Sequence, residues 1–198
     1  MHDHDRNPVE SSLTPRERLL HTAARLFYAE GIRAVGIERL ISEAAITRAT
    51  FYRHHSGKDD LVTAYLEAKD NELRAQYRAA EASLDDPDQL LKAVVVGISA
   101  TVCGADFRGC PFINAAVEFP DPDSPIHRAV QTHRAWFHGV LLDLFTRAGH
   151  PDPAHAARRM VLLRDGAMIG GYLGQSEESL ASLRSGLAEL RADRAGLG

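Results

Sequence analysis

Thr47, Arg48, Thr50, Tyr52, Arg53 and His54 crowd around one aromatic residue, Phe51. A helix that carries Phe51 inward presents the others outward. Short or forked polar side chains at the exposed N-terminal positions of a helix are what reading a DNA major groove requires. Arg48 is the best base reader of the set, because a guanidinium can bond guanine O6 and N7 together. Tyr52 and Lys58, with Thr47, suit phosphate contacts that fix orientation without reading sequence. The same residues could also be the solvated face of an ordinary helical bundle.

A second constellation lies further along. Asn114 and Glu118 are one turn apart, and His133 stands one turn before Trp136 and Phe137. Polar groups on otherwise apolar helices are what a small-molecule cavity needs. The candidate lining is Cys110, Phe112, Asn114, Glu118, His133, Trp136, Phe137, Met168 and Tyr172. The competing reading makes Asn114 a helix bridge and His133 a satisfied core histidine. Neither cofactor nor metal site is expected, since His-Glu-x-x-His, Glu-x-x-His and Cys-x-x-Cys spacings are all missing. Cys103 and Cys110 could form a redox pair if the loop between them folds back, and are otherwise plain packing. No catalytic fingerprint is present, because Ser56-Gly57-Lys58 lacks an upstream glycine loop. An all-helical enzyme, or a metal or redox sensor of unknown type, is the competing functional class.

The elements that must hold these residues read as helices throughout. Thr14-Pro15-Arg16-Glu17 is a capping box with proline at the first helical position, and Gly31 ends that helix. A short pattern from Ile37 to Ala44 follows, then Thr47 caps a third helix, which gives helix-turn-helix geometry. A long fourth helix runs to about Ser83, and five more follow with breaks near Asp86, Gly104, Pro120, Gly149 and Gly174. The expected class is all-α with about nine helices. The expected division is a tail over 1–12, a DNA-binding domain over 13–65, a ligand-binding and dimerisation domain over 66–192 and a tail over 193–198.

Charge supports that division. The 198 residues carry a net charge of -4, with 44% hydrophobic and 25% charged residues, as in an ordinary globular chain. Residues 12 to 58 nevertheless carry +4, against -6 for residues 59 to 198. A basic module joined to an acidic body is the asymmetry expected when one part meets phosphate. The longest stretch free of charge is too short to span a membrane, and the start is polar and acidic where a signal peptide would be basic and apolar. A cytoplasmic location and no membrane partner are the expectation.

The stretch from Ala44 to Leu61 resembles the TetR (tetracycline-repressor-like) family of bacterial transcriptional regulators, and the resemblance extends over Thr14 to Leu61. The landmarks are Ala23-Ala24-x-x-Phe27, Gly31, Ile41, Ala44, Ile46-Thr47, Thr50-Phe51-Tyr52, His54 and Ser56-x-Lys58-x-x-Leu61. The resemblance implies a homodimer, most often a repressor, that binds a partly palindromic double-stranded operator and releases it on binding a small-molecule effector. The chain departs from the family pattern at Ala45, where glycine is usual, at Gly36, where serine or threonine is usual, and at His55, where phenylalanine is usual. Loss of the hydroxyl at position 36 leaves Arg33 or Arg39 to anchor the backbone, and His55 is expected to be hydrogen-bonded structure. The region Gly109-Cys110-Pro111-Phe112-x-Asn114-x-x-x-Glu118 is also similar to many members. For assembly, Leu180, Leu183, Leu187 and Leu190 read as an apolar stripe left exposed on a monomer. Gly166-x-x-x-Gly170 on the preceding helix would permit close approach, so two helices from each chain are expected to form a four-helix interface.

Overall fold

The computed structural model describes residues 13–193. The expected tail over 1–12 and residues 194–198 lie outside the described residues. Among the described residues there are nine helices and no strand: α1 Pro15–Glu30, α2 Ile37–Glu43, α3 Arg48–His54, α4 Lys58–Glu81, α5 Pro87–Val102, α6 Pro111–Glu118, α7 Pro125–Arg147, α8 Pro153–Tyr172 and α9 Ser176–Ala192. The all-α class and helix number match the expectation from sequence. The helices start where side chains supply what free backbone amides lack. Thr14 accepts from the Glu17 amide while Glu17 accepts from the Thr14 amide. Thr47 accepts from the Thr50 amide, Asp86 from Asp88, and Asp152 from His155.

The chain divides into two compact units. One takes the residues up to Lys69 together with Ala115–Ala129, and the other takes Asp70–Asn114 with the residues from Val130 on. The segment Ala115–Ala129, expected within the domain over 66–192, therefore groups with the helix-turn-helix. In the first unit, Leu19, Ala23, Leu26 and Phe27 of α1 are buried with Leu40 and Ile41 of α2, Phe51 of α3 and Leu61, Val62, Tyr65 and Leu66 of α4. The α1, α2 and α3 helices all touch one another.

The α2–α3 turn is held by Arg18, whose guanidinium donates to the carbonyls of Leu13, Ala44 and Ala45. Ala45 has a φ of 49°, in the left-handed region that glycine enters freely and alanine does not. Ala45→Gly should therefore stabilise the protein by about 0.5 to 1 kcal/mol, the relief of strain being partly offset by greater freedom of the unfolded chain. Thermal unfolding of the two proteins checks this; an unchanged or lower midpoint would mean that the turn carries no strain.

In the second unit, α5, α8 and α9 pack on one another. Leu180, Leu183, Leu187 and Leu190 are all buried, Leu183 completely, among the side chains of a single chain. This corrects the expected dimer stripe, because a seam at steps of three and four can be filled by a helix of the same chain. Gly170 belongs to the same contact. A β-carbon there would lie 1.9 Å from Ser179 Oγ, and one at Gly186 would lie 2.3 Å from Leu163 Cδ1. These glycines bring α8 and α9 of one chain together, so Gly170 too is spent inside the chain, while Gly166 remains exposed. A different stripe of α8 faces outward: Leu162 at 70% exposure, Gly166, Ile169 at 44% and Leu173, just past its end, at 68%. Those positions follow helical spacing. Beside them an open groove of about 420 Å³ is lined by Arg159, Leu162, Leu163, Gly166, Ala167, Ser179 and Ser182.

Candidate functional site

The α3 helix turns Phe51 inward and most of its polar side chains outward. Phe51 is fully buried, and Thr47, Arg48, Tyr52 and Arg53 are exposed, with Thr50 and His54 half-buried. Burial of Phe51 is what fixes the rotation of the helix. The Thr47 and Thr50 hydroxyls lie 2.9 Å apart, which ties the first turn of the helix together. Arg48, its first residue, pairs with Glu38 in the first turn of α2 at 2.9 Å.

Three other candidates are engaged within the first unit. Arg39 donates to Glu30 and Glu43, and Glu43 also holds Arg25. The two acids hold the Arg39 guanidinium even more firmly in its charged form than usual, and the two arginines hold Glu43 below the usual carboxylate range. A role as backbone anchor would require Arg39 to break this network. Arg33 lies 5.5 Å over the ring of Phe119, and its amide, with that of Ile32, donates to the Glu118 carboxylate at 2.6 and 2.9 Å. Lys58 Nζ donates to the Arg33 carbonyl at 3.4 Å, and burial lowers its pKa despite the Glu118 charge nearby.

The Glu118 carboxylate is thus engaged within the first unit. It satisfies two backbone amides that follow Gly31, the residue ending α1 with a φ of 90°. Nothing in the local sequence announces a bond across 86 positions.

His55 departs from its expected role. It is buried, neither ring nitrogen has a hydrogen-bond partner among the described residues, and its nearest acid, Asp60, is 3.7 Å away. Asp60 instead accepts from the Ser56 amide. Desolvation is the main cause lowering the His55 pKa, reinforced by Arg16 and His54 and opposed by Asp60. A histidine whose folded-state pKa lies below its unfolded value stabilises the fold fully above the unfolded pKa, near about 6.5. That contribution is lost as pH falls through the folded value. His55→Phe should remove this acid-side loss, so the midpoints of the two proteins should diverge as pH falls from 7 to 5. Parallel curves would show that His55 is solvated.

The remaining candidates lie in the second unit, in a chain of aromatic and ionic contacts. The His133 ring stacks on Phe112 at 3.6 Å with an interplanar angle of 5°, and stands 5.6 Å from Trp136. His133 Nδ1–H donates to Asp70 Oδ1 at 2.8 Å, while Asp70 Oδ2 accepts from Arg74 Nε at 2.6 Å. Arg74 lies 4.8 Å over Trp136, which Tyr77 meets edge-on. Burial lowers the His133 pKa more than Asp70 raises it, which favours the neutral ring. Arg164 is buried, donating to Asp165 at 2.9 Å and to Cys110 Sγ at 3.2 Å, and sits 5.6 Å over Phe137. Met168 is buried near the end of α8, and Tyr172 is exposed. Asn114 donates to the Arg108 carbonyl at 2.9 Å and bridges the loop before α6. Cys103 is exposed while Cys110 is buried.

Sequence reading missed Asp70, Arg74, Arg164 and Glu38. Arg164 had a signal: Met160, Arg164 and Met168 fall four apart, so the buried face of α8 had to carry an arginine. Asp70, Arg74 and Glu38 sit among other charged residues, and nothing local distinguishes them. Among the described residues no group of three or more His, Cys, Asp or Glu could hold a metal ion, and no helix is long and apolar enough to cross a membrane.

Comparison with known proteins adds independent observations. The profile of the family described as bacterial regulatory proteins, tetR family, matches residues 19–65. The chain is similar to a solved TetR-family transcriptional regulator from Streptomyces coelicolor, with 46% identity, a TM-score of 0.87, and 91% of this chain and 96% of that one covered. A TetR-type regulator structure from Streptomyces avermitilis follows at 26% identity and a TM-score of 0.82, covering 92% of this chain and 99% of that one. The HTH-type transcriptional regulator YjdC of Escherichia coli is 26% identical over 165 residues, which cover 82% of this chain and 85% of YjdC.

Proposed function

The chain belongs to the TetR family of bacterial transcriptional regulators, and from that premise we propose that it is a repressor that binds a partly palindromic operator as a homodimer and is released by a small molecule. It acts in the cytoplasm, where the DNA is. The observation that carries the DNA reading is the rotation of α3: with Phe51 wholly buried, Thr47, Arg48, Tyr52 and Arg53 are exposed together. In this reading Arg48 and Thr50 meet base edges, with Arg53 and His54 toward the C-terminal end of the same helix. Thr47 and Tyr52 meet phosphate oxygens. Lys58, Arg33 and Arg39 join phosphates only if they give up internal partners.

The dimer forms through the outward stripe of α8, Leu162, Gly166, Ile169 and Leu173, together with the groove beside it. A twofold interface requires a surface complementary to itself, and an exposed apolar helix stripe with a glycine at its centre meets that requirement. The effector acts on the second unit, at the aromatic and ionic contacts around Phe112, His133, Trp136, Phe137 and Met168. Their polar groups already hold one another, so a ligand must displace Asp70, Arg74 or Arg164 from a present partner. Such an exchange gives the ligand different affinities in two states, without which it could shift no equilibrium.

Selection of duplexes from a randomised pool, followed by footprinting, tests the DNA reading. Related duplexes should be enriched and protected in two symmetric half-sites; protection of a single asymmetric stretch would count against a homodimer. Trp136 is the sole tryptophan, so its emission reports on the effector region without labelling. A compound that releases the selected duplex should quench or shift it, and release with unchanged emission would put the effector elsewhere.

A further inference from the structure

We infer that Glu38 is a specificity-determining residue: its carboxylate, paired with Arg48, penalises capture of that arginine by DNA phosphate while leaving it able to read guanine. The inference rests on the base-reading role proposed above for Arg48.

The basic residues of the first unit differ in what holds them. Arg18 is bound to three carbonyls, Arg39 to Glu30 and Glu43, and Arg25 to Glu43. The acids in those pairs are at most 37% exposed. Glu38 is different, since its side chain is 72% exposed and its partner Arg48 is 67% exposed. Packing therefore does not require the pair, and its carboxylate lies open to solvent beside the first residue of α3.

Arg48 Nη2 and Glu38 Oε1 are 2.9 Å apart, an ion pair between two exposed side chains. A guanidinium has five N–H donors, more than one carboxylate can occupy. Guanine presents O6 and N7, which carry only partial negative charge, so the donors left over can engage both while Glu38 stays close. A phosphate brings a full negative charge to the same place and meets the Glu38 carboxylate at close range. The pair therefore costs little on the right base and more on the backbone. Non-specific binding is supplied by such phosphate contacts, so the penalty falls mainly there. An acid in the first turn of α2 also complements that helix's N-terminal amides, which is a purely structural role.

The probes are a duplex enriched from a randomised pool and a scrambled duplex of the same composition, titrated at fixed salt by fluorescence anisotropy. Glu38→Gln should strengthen binding to the scrambled duplex by about fivefold and change binding to the selected duplex by less than about twofold, so the ratio between them narrows. In the Arg48→Ala background the same substitution should no longer change that ratio. A structural role would lower the melting temperature and leave the ratio alone. Equal strengthening on both duplexes, or the same change of ratio with and without Arg48, would overturn the inference while leaving the DNA reading intact. If Arg48→Ala keeps the full base preference, or the pool yields no preferred duplex, the base-reading role fails and this inference fails with it.

Discussion

Arg48→Ala is expected to lose about 1 to 3 kcal/mol of discrimination at one base pair of each half-site, because a bidentate contact to guanine has no replacement in a methyl group. Affinity for non-specific DNA should change far less than affinity for the selected duplex. Tyr52→Phe provides the contrast. Tyr52 is exposed on α3 and its hydroxyl suits a phosphate oxygen, so its loss should weaken binding to every sequence by about 0.5 to 1.5 kcal/mol. Base preference should survive, as should the dependence on salt, since a neutral donor releases no counterion. Titrations on the selected duplex and its single-base variants at several salt concentrations separate the two effects. If Tyr52→Phe alters base preference and Arg48→Ala does not, α3 meets the groove in a different rotation.

The second large effect concerns assembly, and two leucines that sequence alone treats alike should behave oppositely. Leu162→Glu puts a charge at an outward position on α8 that is 70% exposed in one chain. It should leave the fold intact and oppose association, because each dimer would bury two carboxylates where two leucines had contributed about 1.5 to 3 kcal/mol apiece. A folded monomer with weakened operator binding is the expected product. Leu183→Ala, by contrast, empties a completely buried site between helices of one chain and should cost about 2 to 5 kcal/mol of folding stability. Light scattering and thermal unfolding on both variants distinguish the roles. A Leu162→Glu protein that remains a dimer of unchanged affinity would move the interface away from this stripe.

That contrast shows where sequence was informative and where it was not. Helix boundaries were legible because their signals are local: Thr14-Pro15, Asp86-Pro87, Ser124-Pro125 and Asp152-Pro153 each combine a capping side chain with a proline at the first turn. The rotation of α3 was legible too, since Phe51 is the large apolar residue among polar ones. The spacing of Leu180, Leu183, Leu187 and Leu190 specified a packed seam correctly but carried no information on whether the partner helix belongs to the same chain. Glycines show the same ambiguity: Gly170 reads as permission for close approach, and only Ser179 opposite it tells to what.

Charged residues were read least well. Arg39 counted as an available cation from sequence, yet its partners are Glu30, nine positions before it, and Glu43, one turn after it. Glu118 read as a ligand group because it follows Asn114 by one turn, whereas its carboxylate closes the amides of Ile32 and Arg33. Ala45 stands as the opposite case. Glycine, usual at that position in the family pattern, enters a left-handed backbone freely, and the φ of 49° shows that alanine adopts it here.

The most direct measurement is footprinting of the purified protein on the duplex most enriched from a randomised pool, performed with the wild-type chain and with Arg48→Ala. Two recognition helices related by a twofold axis should protect two symmetric half-sites, their centres about one helical turn of DNA apart or a multiple of it. Arg48→Ala should lose protection of that duplex at protein concentrations where the wild-type chain protects it fully. Enrichment of no common sequence, or a footprint without symmetry that Arg48→Ala leaves unchanged, would contradict operator recognition through α3.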